Sequence, residues 1–317
     1  MVQRKKGTEL SVVIPVYNEE GNLNRLYSQL KQVLDGIGKK YEIIFVDDGS
    51  TDKSFEILRK IKGKESKVKI IRFRKNFGQT AALSAGFAHA RGEVVISMDA
   101  DLQNDPRDIP RLLSKLEEGN DVVCGWRYHR KDSISKRIFS NIASWLRRSL
   151  LSENIHDSGC TLRAYRKYCL SELDMHGEMH RYIPALLTWK GYKITEIKVT
   201  HHPRMYGYSK YHWGRLIRGF IDLLNILFWR KYSARPLHLF GGLGLFMTLS
   251  GIVLGGYLAF IRLIYKVPLA GRTSPLLAIL LIILGVQFFI SGILADMVMK
   301  IYYKQRDNRE YVIEEII

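Results

Sequence analysis

Short runs of strand-forming residues alternate with segments of helical periodicity over the first 124 residues of the chain. The short runs are rich in Val and Ile, which is typical of strands, and the intervening segments repeat apolar positions every three or four residues. Strands that alternate with helices of this length predict an α/β fold, in which a mostly parallel Rossmann-like sheet has helices on both faces. The predicted strands are 10–16, 41–47, 68–73, 93–98 and 121–124, and the predicted helices lie near 19–36, 52–61, 79–90 and 107–118.

Two uncharged segments in the last third of the chain have a different character. Neither 237–261 nor 273–295 contains Asp, Glu, Lys or Arg. Each exceeds the roughly 20 apolar residues that cross a bilayer, and core helices of soluble domains rarely stay uncharged for so long. They predict transmembrane helices near 237–261 and 274–299. The first apolar run is too short for a signal peptide and is interpreted as a strand.

These segments divide the chain into a globular domain (1–213), a connecting segment (214–235) and a membrane domain with a tail (236–317). Segment 214–235 places apolar residues near helical spacing among Arg and Lys, so we interpret it as interfacial amphipathic helices. A core helix that closes the globular domain is the alternative. Basic residues flank the two spans more densely than they occur in the loop between them, so the positive-inside rule predicts a multi-pass membrane protein whose domain and tail lie in the cytosol.

The formal net charge of +18 indicates anionic partners, which include nucleic acids, anionic lipids and phosphorylated small molecules. No helix-turn-helix, zinc or RNA-binding signature accompanies the charge, which argues against a nucleic-acid binder. The three cysteines, Cys124, Cys160 and Cys169, form no C-x-x-C pair. They predict neither a disulfide framework nor a zinc site, and they fit a reducing compartment.

Acidic clusters follow three of the predicted strands, where parallel sheets bind their ligands. They are Tyr17-Asn18-Glu19, Asp47-Asp48-Gly49-Ser50 and Asp99-Ala100-Asp101. Asp99 and Asp101, beside Gln103, offer hard oxygen ligands that suit Mg²⁺ or Mn²⁺ and leave coordination positions for substrate phosphates.

The first two clusters allow two interpretations. A carboxylate there can accept the ring N–H of uracil or guanine, and Tyr17 offers a flat surface for a base. Asp-Gly-Ser is also a favourable turn, and Ser50 or Thr51 is a good helix N-cap. Both interpretations can hold at once.

Six segments of the globular domain together resemble the family-two glycosyltransferases, and within them the polyisoprenyl-phosphate sugar transferases such as dolichol-phosphate mannose synthase. They read VVIPVYNEE, IIFVDDGSTD, RKNFGQTAALSAG, MDADLQNDP, SGCTLRAYR and HHPRMYGYSKY, and they extend over the whole of 1–213. The resemblance implies a GT-A-type fold, inversion of the anomeric centre and a divalent metal, Mg²⁺ or Mn²⁺, as cofactor.

The resemblance also implies roles for particular residues, including charge stabilisation by Asp101 and by several basic side chains. The implied nucleotide-sugar contacts are Pro15, Tyr17, Glu19, Asp47 and Asp48, and the implied metal ligand is Asp101, with Asp99 and Gln103. Arg204, Ser209 and Lys210 would close over the donor diphosphate, while Arg127, Ser135 and Arg137 would hold the acceptor phosphate, with Lys136 or Arg163 as substitutes.

Segment 176–182 concentrates polar groups before an apolar helical segment, and we interpret it as a wall of the active site. Glu178 either orients donor hydroxyls or serves as a capping and surface group, since both fit a helix start. His201 and His202 precede Pro203 in a predicted loop and have no neighbouring ligand residues, so we do not expect them to bind metal.

The predicted activity is transfer of a hexosyl group from GDP-mannose or a UDP-hexose to a polyisoprenyl phosphate. A phosphate monoester, with its second pKa near about 6, is largely dianionic at pH 7 and needs no general base. Alternatives are a membrane glycosyltransferase that acts on a hydroxyl group and a non-catalytic scaffold of the same fold. A processive synthase is disfavoured, because the chain has two spans and no Gln-x-x-Arg-Trp segment.

The first span is rich in glycine, which permits close packing of helices and suggests a homo-oligomer. These glycines are Gly241, Gly242, Gly244, Gly251, Gly255 and Gly256.

Overall fold

The computed structural model of the protein describes residues 8–128, 155–171, 173, 175, 177, 179–203, 236–266, 268–269, 272–304 and 311–317. The chain forms two compact units. Unit 1 consists of Met1–Tyr211 and Arg309–Ile317, and unit 2 consists of His212–Asn308.

Unit 1 contains the strands and most of the shorter helices. The strands are β1 (Leu10–Val16), β2 (Tyr41–Asp47), β3 (Val68–Phe73), β4 (Val94–Ser97), β5 (Val122–Arg127), β6 (Arg163–Arg166), β7 (Ile194–Val199) and β8 (Ile313–Ile316). The helices are α1 (Leu23–Ile37), α2 (Ser54–Lys64), α3 (Gln79–His89), α4 (Ile109–Glu117), α5 (Lys167–Leu170) and α6 (Ile183–Trp189), with 3₁₀ turns at Pro106–Asp108 and Met179–Tyr182.

Within the described residues, eight strands form one sheet in the order β7-β5-β6-β4-β1-β2-β3-β8. The central strands β4, β1, β2 and β3 are parallel, and β5 is parallel to β7. Strand β6 is antiparallel to both of its neighbours, and β8 is antiparallel to β3. The predicted α/β class with a mostly parallel sheet is therefore confirmed.

Strand β1 is buried because helices cover both faces of the sheet. Val12 and Ile14 belong to the core on the face of α1, whereas Val13 belongs to the core on the face of α3. Alternate residues of a strand point to opposite faces, so a strand covered on both faces becomes a continuous apolar run. Gly86 allows α3 to approach β1 closely, because a Cβ there would lie 2.2 Å from Cγ1 of Val13.

The predicted strands 10–16, 41–47 and 68–73 coincide with β1, β2 and β3. Strand β6, with the sequence RAYR, was not predicted. It is only four residues long, and two arginines flank its two central residues, Ala164 and Tyr165, so it shows no alternation of polar and apolar positions. Its pairing depends on β4 and β5 on either side.

The C-terminal tail was not predicted to contain a strand, yet it supplies β8. Tyr311 stacks on Phe73 with ring centroids 5.1 Å apart, and β8 then hydrogen-bonds along β3. An unpaired strand edge exposes backbone donors and acceptors, so β8 protects the edge of the sheet at β3.

Unit 2 contains two long apolar helices, α7 (Pro236–Ile264) and α8 (Ser274–Lys304). Both are long and apolar enough to span a membrane. They pack closely at Gly244, where a Cβ would lie 2.5 Å from the carbonyl oxygen of Gly285. Some glycines of the first span thus serve packing within the chain. The predicted interfacial helices at 214–235 lie outside the described residues.

Candidate active site

A cavity of about 290 Å³ opens at the carboxyl ends of the parallel strands. The loops after β1, β2, β3 and β4 each contribute to its wall, as expected for ligand sites of parallel α/β sheets. The lining residues are Pro15, Val16, Tyr17, Glu19, Asp48, Asn76, Gly78, Gln79, Asp99, Ala100 and Asp101.

The carboxylate of Asp48 accepts hydrogen bonds at the start of α3. The backbone N–H groups of Phe77 and Gly78 donate at 2.7 and 2.9 Å, and the Asn76 amide donates at 3.0 Å. The first N–H groups of a helix have no hydrogen-bond partner within the helix. A carboxylate near the N-terminus of a helix also interacts favourably with the helix dipole. Burial nevertheless raises the pKa of Asp48 to about 6. Asp48 is therefore a structural cap as well as part of the cavity wall.

Asp99 and Asp101 lie at the end of β4 and both line the cavity. Gln79 donates its side-chain N–H to Asp99 at 2.7 Å, and the backbone N–H of Gln103 donates to Asp101 at 3.1 Å. Between these last two residues, Leu102 has φ 61° and a buried side chain. A left-handed Leu costs about 1 kcal/mol or more, and such strain persists where the surroundings fix the loop.

The two strand-end carboxylates suit a divalent cation. Burial, followed by the charge of Asp101, raises the pKa of Asp99 above its ordinary value. Two neighbouring carboxylates repel each other, and a shared cation relieves this repulsion. Among the described residues, no group of three or more His, Cys, Asp or Glu side chains is arranged to hold a metal. A site that takes its remaining ligands from substrate phosphates requires only one or two carboxylates.

The loop after β1 is held by the loop after β2. Ser50 accepts the backbone N–H of Asn18 at 3.0 Å, and Asn18 in turn accepts the backbone N–H of Thr51 at 2.8 Å. Asn18 has φ 56°, a conformation that Asn tolerates better than most residues. This arrangement leaves the Tyr17 ring 42% exposed beside the cavity, where a flat ring is available to a base.

Asp47 and Gln103, predicted as contacts of the nucleotide sugar and the metal, do not line the cavity. Asp47 is fully buried, and its carboxylate accepts the backbone N–H of Ser50 at 3.0 Å. Gln103 is held in the loop after β4 through its backbone, since its N–H donates to Asp101 at 3.1 Å and its carbonyl oxygen accepts the N–H of His202 at 2.9 Å. Each supports a loop that carries lining residues.

Arg127 and Arg163 are both held by groups within unit 1. Arg127 donates two side-chain hydrogen bonds to Asp157, and Arg163 is buried and donates to the carbonyl oxygens of Ser158 and His180. In this arrangement Arg163 orders the backbone next to β6, and the role of Arg127 toward an acceptor phosphate stays a prediction.

Several predicted residues lie outside the described part of the chain. They are Ser135, Lys136, Arg137, Glu178, Arg204, Ser209 and Lys210. Nε2 of His202 lies 3.0 Å from the carboxylate of Asp105, and neither residue lines the cavity.

Three lining residues were not predicted from the sequence, namely Asn76, Gly78 and Gln79. They follow β3 directly, so the rule that located the other clusters also applies to them. Amide side chains are a weaker signal than acidic pairs, and the contact of Gln79 with Asp99 depends on how α3 packs.

Comparison with known proteins agrees with this geometry. The model of glycosyl transferase family 2 matches residues 11–174, from β1 to beyond β6. The chain belongs to glycosyltransferase family 2. It is 38% identical to the dodecaprenyl-phosphate galacturonate synthase of Rhizobium johnstonii over 313 residues, which is 97% of this chain and 93% of that protein. It is 36% identical to the undecaprenyl-phosphate 4-deoxy-4-formamido-L-arabinose transferase of Shewanella sediminis, over 97% of this chain and 92% of that protein.

Both relatives are polyisoprenyl-phosphate glycosyltransferases, so the resemblance stated from the sequence is confirmed for this family-two chain. Among solved structures, glucosyl-3-phosphoglycerate synthase from Mycobacterium tuberculosis, in complex with Mn²⁺ and UDP, matches with a TM-score of 0.54 and 19% identity. The match covers 71% of this chain and 81% of that one. This likeness concerns the fold, which is of GT-A type.

Proposed function

We propose that this glycosyltransferase transfers the sugar of a nucleoside diphosphate sugar to a polyprenyl phosphate, with inversion of the anomeric centre. The reaction would use Mg²⁺ or Mn²⁺. The observation that carries the proposal is the placement of Asp99 and Asp101 in one cavity with Tyr17 and Asp48. The relatives that match along nearly the whole chain have polyprenyl-phosphate products in their names, which supports the lipid acceptor.

We assign different roles to the lining residues of the cavity. Tyr17 and Glu19 offer a ring face and a carboxylate, which suit the base and its N–H groups. Asp99 and Asp101 would hold the cation, which, when bound, neutralises the diphosphate that leaves. Arg204 and Lys210 would approach the same diphosphate, as the family resemblance implies.

The reaction is a single displacement at the anomeric carbon. A phosphate oxygen of the lipid forms the new bond, and the bond between the anomeric carbon and the nucleotide diphosphate breaks on the opposite side, which inverts the centre. The nucleophile is already anionic near pH 7, so no side chain has to remove a proton. The protein contributes by holding the phosphate, with Arg137 and Ser135 as predicted contacts, and by stabilising charge on the leaving group.

We propose a cytosolic catalytic domain and a membrane hairpin. Met1–Tyr211 and Arg309–Ile317, which precede and follow unit 2 along the chain, belong to one compact unit, and β8 pairs with β3. Two membrane crossings return the chain to its starting side, which fits this connectivity. The basic residues around the two spans support a cytosolic location of that side.

The test is an assay with purified full-length protein, polyprenyl phosphate, Mn²⁺ or Mg²⁺, and labelled sugars on uridine and guanosine diphosphate. The panel includes hexoses, a uronic acid and a formamido-pentose, because the relatives' names contain the last two. We expect organic-soluble label that mild acid releases, as befits an anomeric phosphate. A label that appears only on a hydroxyl group, or turnover unaffected by a chelator, would contradict the proposal.

A further inference from the structure

Three charged residues form a row across neighbouring strands on the α2 face of the sheet. Asp47 of β2 lies opposite Arg72 of β3, which lies opposite Glu315 of β8. Residues directly opposite each other place their side chains on the same face. Arg72 Nε lies 3.6 Å from Asp47 Oδ2 and 3.5 Å from Glu314 Oε2, and its Nη1 lies 4.0 Å from Glu315 Oε1.

An irregularity in the pairing brings both glutamates to one arginine. The register of β3 and β8 shifts between Arg72 and Phe73, because Arg72 lies opposite Glu315 and Phe73 lies opposite Ile313. Glu314 is therefore the extra residue of a β-bulge, which redirects its side chain. The tail thus presents two carboxylates to Arg72, whose guanidinium also lies 4.0 Å from the centre of the Phe55 ring.

Arg72 is the cation that lies next to the buried carboxylate of Asp47. The Asp47 carboxylate is fully buried, and its Oδ2 accepts no hydrogen bond within the described residues. Burial raises the pKa of Asp47, and the hydrogen bonds from Ser50, followed by the charge of Arg72, oppose this rise. A buried carboxylate without a neighbouring cation is costly, so the ion pair with Arg72 stabilises the Asp47 carboxylate in its position.

Asp47 is connected to the loops that line the cavity by two successive hydrogen bonds. Its Oδ1 accepts the N–H of Ser50, and Ser50 accepts the N–H of Asn18 in the loop that carries the lining residues Tyr17 and Glu19. Asp48, the next residue, lines the cavity itself. A displaced Asp47 would therefore loosen two walls of the cavity together.

We propose that the C-terminal strand is a positioning element of the donor site. Glu314 and Glu315 orient Arg72, and Arg72 orients Asp47 and the turn at Ser50. This inference rests on the proposed function, because it takes the cavity as the binding site of the donor nucleotide. The tail that follows the membrane hairpin thereby supports nucleotide binding without contacting the nucleotide.

The test compares the Glu314→Gln/Glu315→Gln double variant with wild type as full-length protein in detergent. Glutamine keeps the length of the side chains and the strand pairing, while removing the charge that holds Arg72. We expect UDP or GDP to bind about tenfold more weakly in the presence of Mn²⁺, as for removal of residues that orient direct ligands. The KM for the donor rises by a similar factor, and the KM for the polyprenyl phosphate stays unchanged.

Two further variants separate positioning from general stability. Arg72→Met should show at least the same loss, and Arg72→Lys should recover part of it because the positive charge remains. Combining Arg72→Met with the double glutamine variant should add little, since all three residues act through one contact. The control is Glu117→Gln, which removes the exposed ion pair with Lys39 and should leave nucleotide affinity unchanged.

The readouts also distinguish this inference from the proposed function. Unchanged nucleotide affinity in the double glutamine variant overturns the inference, as does an equal rise of both KM values. Hydrogen exchange gives a second readout: the Ser50 amide should exchange faster in the variant, and unchanged exchange overturns the inference too. Nucleotide binding by wild type without transfer to any polyprenyl phosphate would overturn only the proposed function.

Discussion

Arg127 donates a two-point hydrogen bond to Asp157, from Nε to Oδ2 at 2.6 Å and from Nη2 to Oδ1 at 2.8 Å. Both side chains are largely buried, with 15% and 8% exposure. The backbone N–H of Arg127 also donates to the same carboxylate at 3.2 Å. The pair fixes the carboxyl end of β5 to the segment before β6, so much of the positive charge of Arg127 is already compensated within the protein.

Loss of one partner of this pair should destabilise unit 1. Arg127→Met leaves Asp157 buried without its cation, and breaking such a pair costs about 3–5 kcal/mol. We expect a clear fall in the thermal unfolding midpoint of the full-length protein. The double variant Arg127→Met/Asp157→Leu should recover much of the loss, because no buried charge is left unpaired. A stable Arg127→Met protein with weakened use of the lipid would instead assign Arg127 to the acceptor site.

Asp101→Asn should abolish transfer while the protein stays folded. The substitution keeps an oxygen that can accept the N–H of Gln103 but removes the negative charge that would hold the proposed cation. We expect turnover to fall by about 100-fold or more, because a bound cation would neutralise the leaving diphosphate. The control Glu118→Gln alters an exposed carboxylate paired with Lys115 and should retain activity. Wild-type turnover in Asp101→Asn would exclude Asp101 as a metal ligand.

Arg137→Ala should impair use of the polyprenyl phosphate more than donor binding. An arginine that holds the phosphate in two hydrogen bonds contributes mainly to the KM of that substrate. The measurement is the ratio of the two KM values, with Lys136→Ala as the neighbouring comparison. If Lys136→Ala shows the larger effect, the acceptor contact belongs to Lys136, and equal losses for both substrates would argue against an acceptor site here.

The stability contributed by Asp48 should depend on pH. Its pKa is raised by burial to about 6, so the folded state binds the proton more tightly than the unfolded state does. Below the pKa that Asp48 has in the unfolded state, its protonation therefore makes its full contribution to the free energy of unfolding. This contribution is lost as the pH rises through about 6. The difference in unfolding midpoint between wild type and Asp48→Ala should shrink from pH 5 to pH 7. A difference that grows over this range would show that the carboxylate is stabilised in its charged form.

Alanine substitutions at two glycines of α7 should have different effects on the stability of the protein. A Cβ at Gly244 would lie 2.5 Å from the Gly285 carbonyl oxygen, so Gly244→Ala overpacks the hairpin and should cost about 1–3 kcal/mol. Among the described residues no atom lies within 4 Å of a Cβ added at Gly256, so Gly256→Ala should be neutral or slightly stabilising. Thermal unfolding in detergent measures both. A destabilised Gly256→Ala protein would indicate a packing partner beyond the described residues.

The sequence by itself determined the parallel core and the location of the candidate site. Strands β1 and β2 are buried on both faces over most of their length, which favours the apolar runs VVIPV and IIFV that are visible along the chain. The carboxyl ends of parallel strands lie at one edge of the sheet. The sequence alone therefore predicted that the acidic pairs after β2 and β4 lie close together. These features can be predicted from short segments, because burial of a strand or a helix face produces a regular pattern of apolar residues along the chain.

Only the tertiary structure decided which of those polar residues face the cavity and which support it. Asp47 and Asp48 are adjacent and chemically identical in the sequence, yet Asp47 turns toward Arg72 and Ser50 while Asp48 lines the cavity. Strand β8 illustrates the same limit, because its partner β3 lies about 240 residues earlier in the chain. Such contacts depend on how distant segments pack, and no short stretch of sequence encodes the partner that it meets.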